Sequence, residues 1–125
     1  MREINWEEYI AYYIESLPTK DGALHCLMEV DAEALPFIYA AYDRAAEPNV
    51  RWALVKAVWE HREPSSIPFL ARALNDPADE VWNEAISGLQ TIGTADARAA
   101  LNAALPGSSG KKRDRLEEAE RSMGN

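Results

Sequence analysis

The chain repeats itself with a period of about 31 residues, and this feature does most to limit how it can fold. Leu35-Pro36-Phe37-Ile38 returns as Ile67-Pro68-Phe69-Leu70. Shifted by 31 residues, Val50, Val55 and Val58 fall on Val81, Ile86 and Leu89, and Leu70 and Leu74 fall on Leu101 and Leu105. Working backward by the same offset, Ala23-Leu24 and Cys26-Leu27 meet Leu54-Val55 and Ala57-Val58. Self-similarity at such a period marks a stacked array of small supersecondary units. Each unit is too small to bury its own apolar face, so neighbours must stack into one continuous core. The offset predicts four units, the first and last degenerate.

The punctuation between apolar residues is helical throughout. Trp6, Tyr9, Ile10, Tyr13 and Leu17 form the stripe of a first helix over residues 5–17, which Pro18 ends. A second helix is expected over 20–30. A third is expected from a cap at Asp31 to about Ala46, and a fourth from Pro48 to Arg62. Ser65 is expected to cap a fifth helix, with Pro68 in its first turn, where a missing N–H costs little. Asp76-Pro77 reads as an N-cap and first-turn proline opening a sixth helix that stops at Gly93. Thr94 caps a seventh, ending at Leu105, and after the loop 106–110 a polar eighth covers 111–123. No segment alternates with period two long enough to argue for a sheet. The expected architecture is all-α: a right-handed α-solenoid of about four antiparallel helix pairs, eight helices in one domain over 1–125. Residues 1–30 form an N-terminal capping pair, 31–105 the core repeats, and 106–125 a loop and polar C-terminal capping helix.

Charge narrows the partner classes. The formal net charge is −8. It is concentrated in residues 1–50, with ten acids against three bases; residues 51–110 carry seven against five and 111–125 four against five. An acidic surface repels phosphate backbones and argues against nucleic acid as a partner, while it speeds encounter with a basic protein. No apolar run approaches the roughly 18 residues of a membrane span, and the N-terminus is too acidic for a secretory signal. A cytoplasmic location is expected, monomeric when free. The single cysteine, Cys26, has no internal partner and fits a reducing compartment as an inert, half-buried thiol.

The proline near the start of each first helix resembles the HEAT-like (armadillo-type) helical repeat family. The Asn75-Asp76-Pro77 turn, the Asp79-Glu80-Val81-Trp82 opening and the rows of Ala and Gly carry the same resemblance. It covers residues 31–105 well and the two ends less, which therefore read as caps of a complete domain. It speaks to fold and little to function, because such repeats occur in scaffolds, inhibitors, lyases and nucleic-acid enzymes.

The resemblance implies that the second helix of each pair lines the concave side. In the fourth helix, Val50, Leu54, Ala57, Val58 and His61 share one face at about 100° per residue. Trp52 and Trp59 point the other way, with Lys56 and Glu63 beside them. The corresponding positions are Asn83, Ser87 and Gln90 in the sixth helix, and Asp21, His25 and Met28 in the second. In the eighth they are Asp114, Glu118 and Arg121. A partner-binding ridge of Trp52, Lys56, Trp59, Glu63, Asn83, Ser87, Gln90, His25 and Met28 follows, because aromatics on a polar surface are what binding hot spots use. Trp6 and Trp82 lie nearer the core stripes and read as structural.

Catalytic patterns are absent. The chain holds no Gly-rich phosphate loop, no histidine pair at metal spacing and no nucleophile motif. His61 reads as a structural histidine near a helix end, and Glu60, Glu63 and Glu84 as solvated glutamates. No cofactor, metal or catalytic residue is expected. The terminal run Lys111-Lys112-Arg113-Asp114-Arg115 reads as part of a charged end cap. The expected function is a non-enzymatic protein–protein interaction module of the immunity or inhibitor type, neutralising a basic toxin or enzyme. The alternative is a solenoid-type lyase or chaperone subunit holding a tetrapyrrole or other ligand in its concave groove. A third possibility is a regulatory piece of a larger assembly.

Overall fold

In a computed structural model, residues 5–15 and 26–123 are described. The chain runs through α1 (Trp6–Ile14), a helical turn at 26–29, α2 (Leu35–Arg44), α3 (Pro48–Glu60), α4 (Ile67–Ala73), α5 (Asp79–Ile92), α6 (Ala95–Ala104) and α7 (Gly110–Met123). Short 3-10 turns, Ala32–Ala34 and Pro64–Ser66, lead into α2 and α4. The described residues contain no strand, and the fold is the expected all-α solenoid. Helices α2, α4 and α6 are the first members of successive pairs, and α3, α5 and α7 the second. The second helices α3, α5 and α7 pack in series, and α5 also touches α4 and α6.

Stacking rather than any single pair makes the core. Val81, Ala85, Ile86 and Leu89 of α5 are fully buried, as are Leu54, Ala57 and Val58 of α3, Leu70 of α4 and Leu101 of α6. Ala53 and Val55 are buried as well. The buried arc of α3 is therefore wider than the single stripe the sequence suggests, because α2, α4 and α5 all pack on it. Trp82 is buried and Trp6 packs on the core, both as expected. Truncating a residue such as Leu54 to alanine removes about 2–5 kcal/mol in cores of this kind.

Helix ends follow the punctuation in part. Asn5 caps α1 by accepting from the Glu8 N–H, Thr94 caps α6 by accepting from the Ala97 N–H, and Gly93 closes α5 at φ 70°. Pro48 opens α3 at a position whose N–H would be unpaired anyway. Three expected caps fail. Neither Asp31 nor Ser65 caps a helix, since the two 3-10 turns intervene. Asp76 does not open α5, which begins at Asp79.

Asp76 is engaged elsewhere. It accepts from Arg51 Nε at 2.8 Å and Nη2 at 3.2 Å, from the Tyr42 hydroxyl, and from the Ala78 N–H at 2.9 Å. Arg51 Nη1 also donates to the carbonyls of Ala45 and Ala46. One buried ion pair thus fixes the α2–α3 turn against the α4–α5 turn. Beside it, Tyr39 stacks on Phe69 with centroids 4.6 Å apart and shares a hydrogen bond with the buried Ser66 hydroxyl. His61, at the end of α3, places Nδ1 2.8 Å from the Ala57 carbonyl and Nε2 2.6 Å from the Val30 carbonyl. It is the structural histidine the sequence suggests, and it joins the end of α3 to the segment that precedes α2.

Candidate functional site

The face formed by α3, α5 and α7 gathers most of the expected ridge. Trp52 and Trp59 lie two turns apart on α3, so both rings reach the same stretch of α5. Trp52 Nε1 donates to one carboxylate oxygen of Glu84 at 3.1 Å, and Trp59 Nε1 donates to the other at 2.9 Å. The carboxylate is held by two indole N–H groups, and each indole has its one donor satisfied. Lys56 Nζ sits 5.0 Å from the Trp59 ring centroid and 4.0 Å from Glu60. The ring face of Trp59 is therefore already a seat for an ammonium group.

The second cluster lies one helix further along. Arg115 of α7 donates through Nε to Asn83 Oδ1 at 2.9 Å and through Nη2 to Gln90 Oε1 at 2.8 Å and Ser87 Oγ at 3.4 Å. Its Nη1 is buried without a hydrogen-bond partner. The planar fork of arginine suits this task, since three acceptors spread along one helix can be met by one side chain. Lys111 also pairs with Asp79, holding that carboxyl below its ordinary range.

Several ridge residues stand differently from the sequence expectation. Trp52 and Trp59 are half-buried and pack against the core rather than standing free, because Glu84 draws both rings onto α5. The backbone of α5 is close enough for this because residue 88 is glycine: a Cβ there would come within 2.6 Å of Trp59 Cβ. Glu63 is not on the ridge helix. The helix ends at Glu60, and Arg62, at φ 54°, turns the chain, so helical spacing from Trp59 does not reach Glu63. Met28 is half-buried against the core. His25 and Asp21 lie outside the described residues. In the last helix, Arg115 rather than Asp114, Glu118 or Arg121 faces α5.

The sequence places Arg115 only in a charged end cap and Glu84 only on a solvated face, yet the contact each makes had a signal. Trp52 meets Glu84 and Asn83 meets Arg115 across a separation of 32 residues. Complementary polar residues one repeat plus one position apart therefore mark facing residues on successive second helices.

A family model of HEAT repeats matches residues 35–123, from the first residue of α2 to the last of α7. The chain belongs to the HEAT-repeat family. No curated protein matches it. The match includes α7, so the polar last helix is counted with the HEAT repeats, whereas α1 and the turn at 26–29 fall before it. HEAT repeats commonly mediate protein–protein interaction and are typically non-catalytic. In this HEAT array the described residues hold no group of three or more His, Cys, Asp or Glu that could bind a metal. None of the described helices is long and apolar enough to cross a membrane.

Proposed function

We propose that this HEAT-repeat protein binds a basic protein partner through the α3–α5–α7 face and acts as an inhibitor of the immunity type. The observation that carries the reading is the Trp52–Glu84–Trp59 arrangement. Two large rings are fixed in place before any partner arrives, so docking against them costs little side-chain entropy. Aromatic residues anchored in this way supply a disproportionate share of binding energy. The net charge of −8 supports the choice of a basic partner, through faster encounter and electrostatic complementarity. Asn83, Ser87, Gln90 and Arg115 extend the face as a polar rim. The tetrapyrrole alternative has less support, since the two rings pack against α5 instead of lining an open slot.

The test is affinity capture from native cell extract, followed by binding of the captured partner over a range of salt. A basic partner whose binding weakens with salt and by about tenfold or more on Trp59→Ala supports the reading. An acidic partner, or binding indifferent both to salt and to Trp59→Ala in a folded variant, would remove it.

A further inference from the structure

A second surface lies between α1 and α2, away from the tryptophan face. The two helices leave a cleft of about 630 Å3. Ala11 of α1 and Ala40 and Ala41 of α2 line it, so its depth comes from side chains that stop at Cβ. Ile10 and Ile14 supply branched apolar surface from α1. Phe37, 39% exposed, is one of two large hydrophobics left exposed among the described residues, and it opens onto this cleft. The charged groups there are predominantly acidic: Glu7 and Glu15 from α1 and Glu47 before α3, against Arg44.

The geometry points to this cleft as the seat of a basic amphipathic helix from a partner protein. Leucine-sized side chains at i, i+3, i+4 and i+7 would fill the space the alanines leave, which is how helices dock in apolar grooves. Lysine or arginine on the flanks of that helix would face Glu7, Glu15 and Glu47. The sequence agrees in sign, since residues 1–50 carry ten acids against three bases. With α1 nine residues long, the groove accommodates about two to three turns. The inference stands apart from the proposed tryptophan face, which can fail without affecting it.

The experiment uses the full chain and two synthetic probes, an amphipathic leucine–lysine helix of about four turns and its leucine–glutamate counterpart. Binding is followed by fluorescence anisotropy and by backbone amide shifts. The lysine peptide is expected to bind about tenfold or more tightly than the glutamate peptide, with shifts confined to α1, α2 and the start of α3. Ala40→Phe, which fills the cleft, is expected to weaken it about tenfold, and the pair Glu15→Lys and Glu47→Lys to weaken it several-fold at low salt. Equal affinity for both peptides overturns the inference, as do shifts centred on α5 or unchanged binding to folded Ala40→Phe. If Ala40→Phe does not fold, Phe37→Ala carries the same test, because it trims an exposed ring.

Discussion

The Cβ of Trp59 occupies the space into which residue 88 would project a side chain if it were not glycine. The neighbouring atoms are the inner atoms of the tryptophan, not a flexible tip, so α3 and α5 would have to move apart to admit even a methyl group.

Gly88→Ala should therefore destabilise the protein, although alanine is the better helix former. The intrinsic gain of about 1 kcal/mol is set against an overpacking cost of about 1–3 kcal/mol. Glu84 adds to the penalty, because both its hydrogen bonds depend on the same approach. A net loss of roughly 1–2 kcal/mol, read as a melting temperature lower by several degrees, is expected. An increase would show that the helices shift without cost.

Removing the carboxylate tests the tryptophan arrangement directly. Glu84→Ala leaves two half-buried indole N–H groups without their acceptor, at roughly 1–3 kcal/mol. Denaturant unfolding of Glu84→Ala, Trp59→Phe and the double variant forms a cycle that isolates the coupling. A coupling near zero would mean that the 2.9 Å contact contributes nothing to stability.

The Arg51–Asp76–Tyr42 network predicts how stability changes with pH. Burial by itself would raise the Asp76 carboxyl, but hydrogen bonds from Arg51, Tyr42 and the Ala78 N–H together outweigh it and hold the group below its ordinary 3.8. The folded state then binds fewer protons than the unfolded one. Its contribution is full above about pH 3.8 and is lost as the pH falls through the folded value. Tyr42 behaves oppositely. Burial first, and then the hydrogen bond to Asp76, push its phenol above the ordinary 10.0. That contribution is present below pH 10.0 and is lost as the pH rises beyond it. Thermal melts across pH should show the acid limb flattened in Asp76→Asn and the alkaline limb flattened in Tyr42→Phe. At neutral pH, Asp76→Asn should cost about 3 kcal/mol, since Arg51 loses its countercharge at a site with little solvent.

Arg115 holds α7 to α5 through three side-chain acceptors. Arg115→Lys keeps the charge and loses the fork, so amide exchange in α7 should speed by about fivefold or more, equivalent to roughly 1 kcal/mol of local stability. Exchange in α3 should change little, because α7 and α3 are separated by α5. Equal acceleration in both helices would mean that the array opens as a single unit.

The sequence reveals the array more readily than its joints. Apolar residues such as Leu54, Ile86 and Leu101 recur with the period because each must be buried at the same place in its unit, so pattern alone locates them. Gly93 and Thr94 are legible because their roles are local. Asp76 misleads for the opposite reason. Its local pattern is that of an N-cap, while the partners that claim it, Arg51 and Tyr42, are 25 and 34 residues away. The candidate face is half legible. Helical angles put Trp52, Trp59, Asn83, Ser87 and Gln90 on one side. They say nothing of how deeply the rings sit, which depends on Glu84 and on the missing side chain at Gly88. Glu63 leaves the face because the chain turns at Arg62, beyond which helical spacing no longer applies.

His61 reaches the carbonyl of Val30 across 31 residues, the length of one repeat. Between them, Arg51 grips the carbonyls of Ala45 and Ala46, the turn where an added residue would otherwise be easiest to absorb. The intervening stretch is thus pinned at both ends and in the middle. Small insertions and deletions within it should be poorly tolerated, and change in length should come by gain or loss of an entire helix pair. On this view, genes for proteins of this type would grow and shrink in steps of one repeat, and a library that varies the number of repeats would yield more folded members than one that varies the turns.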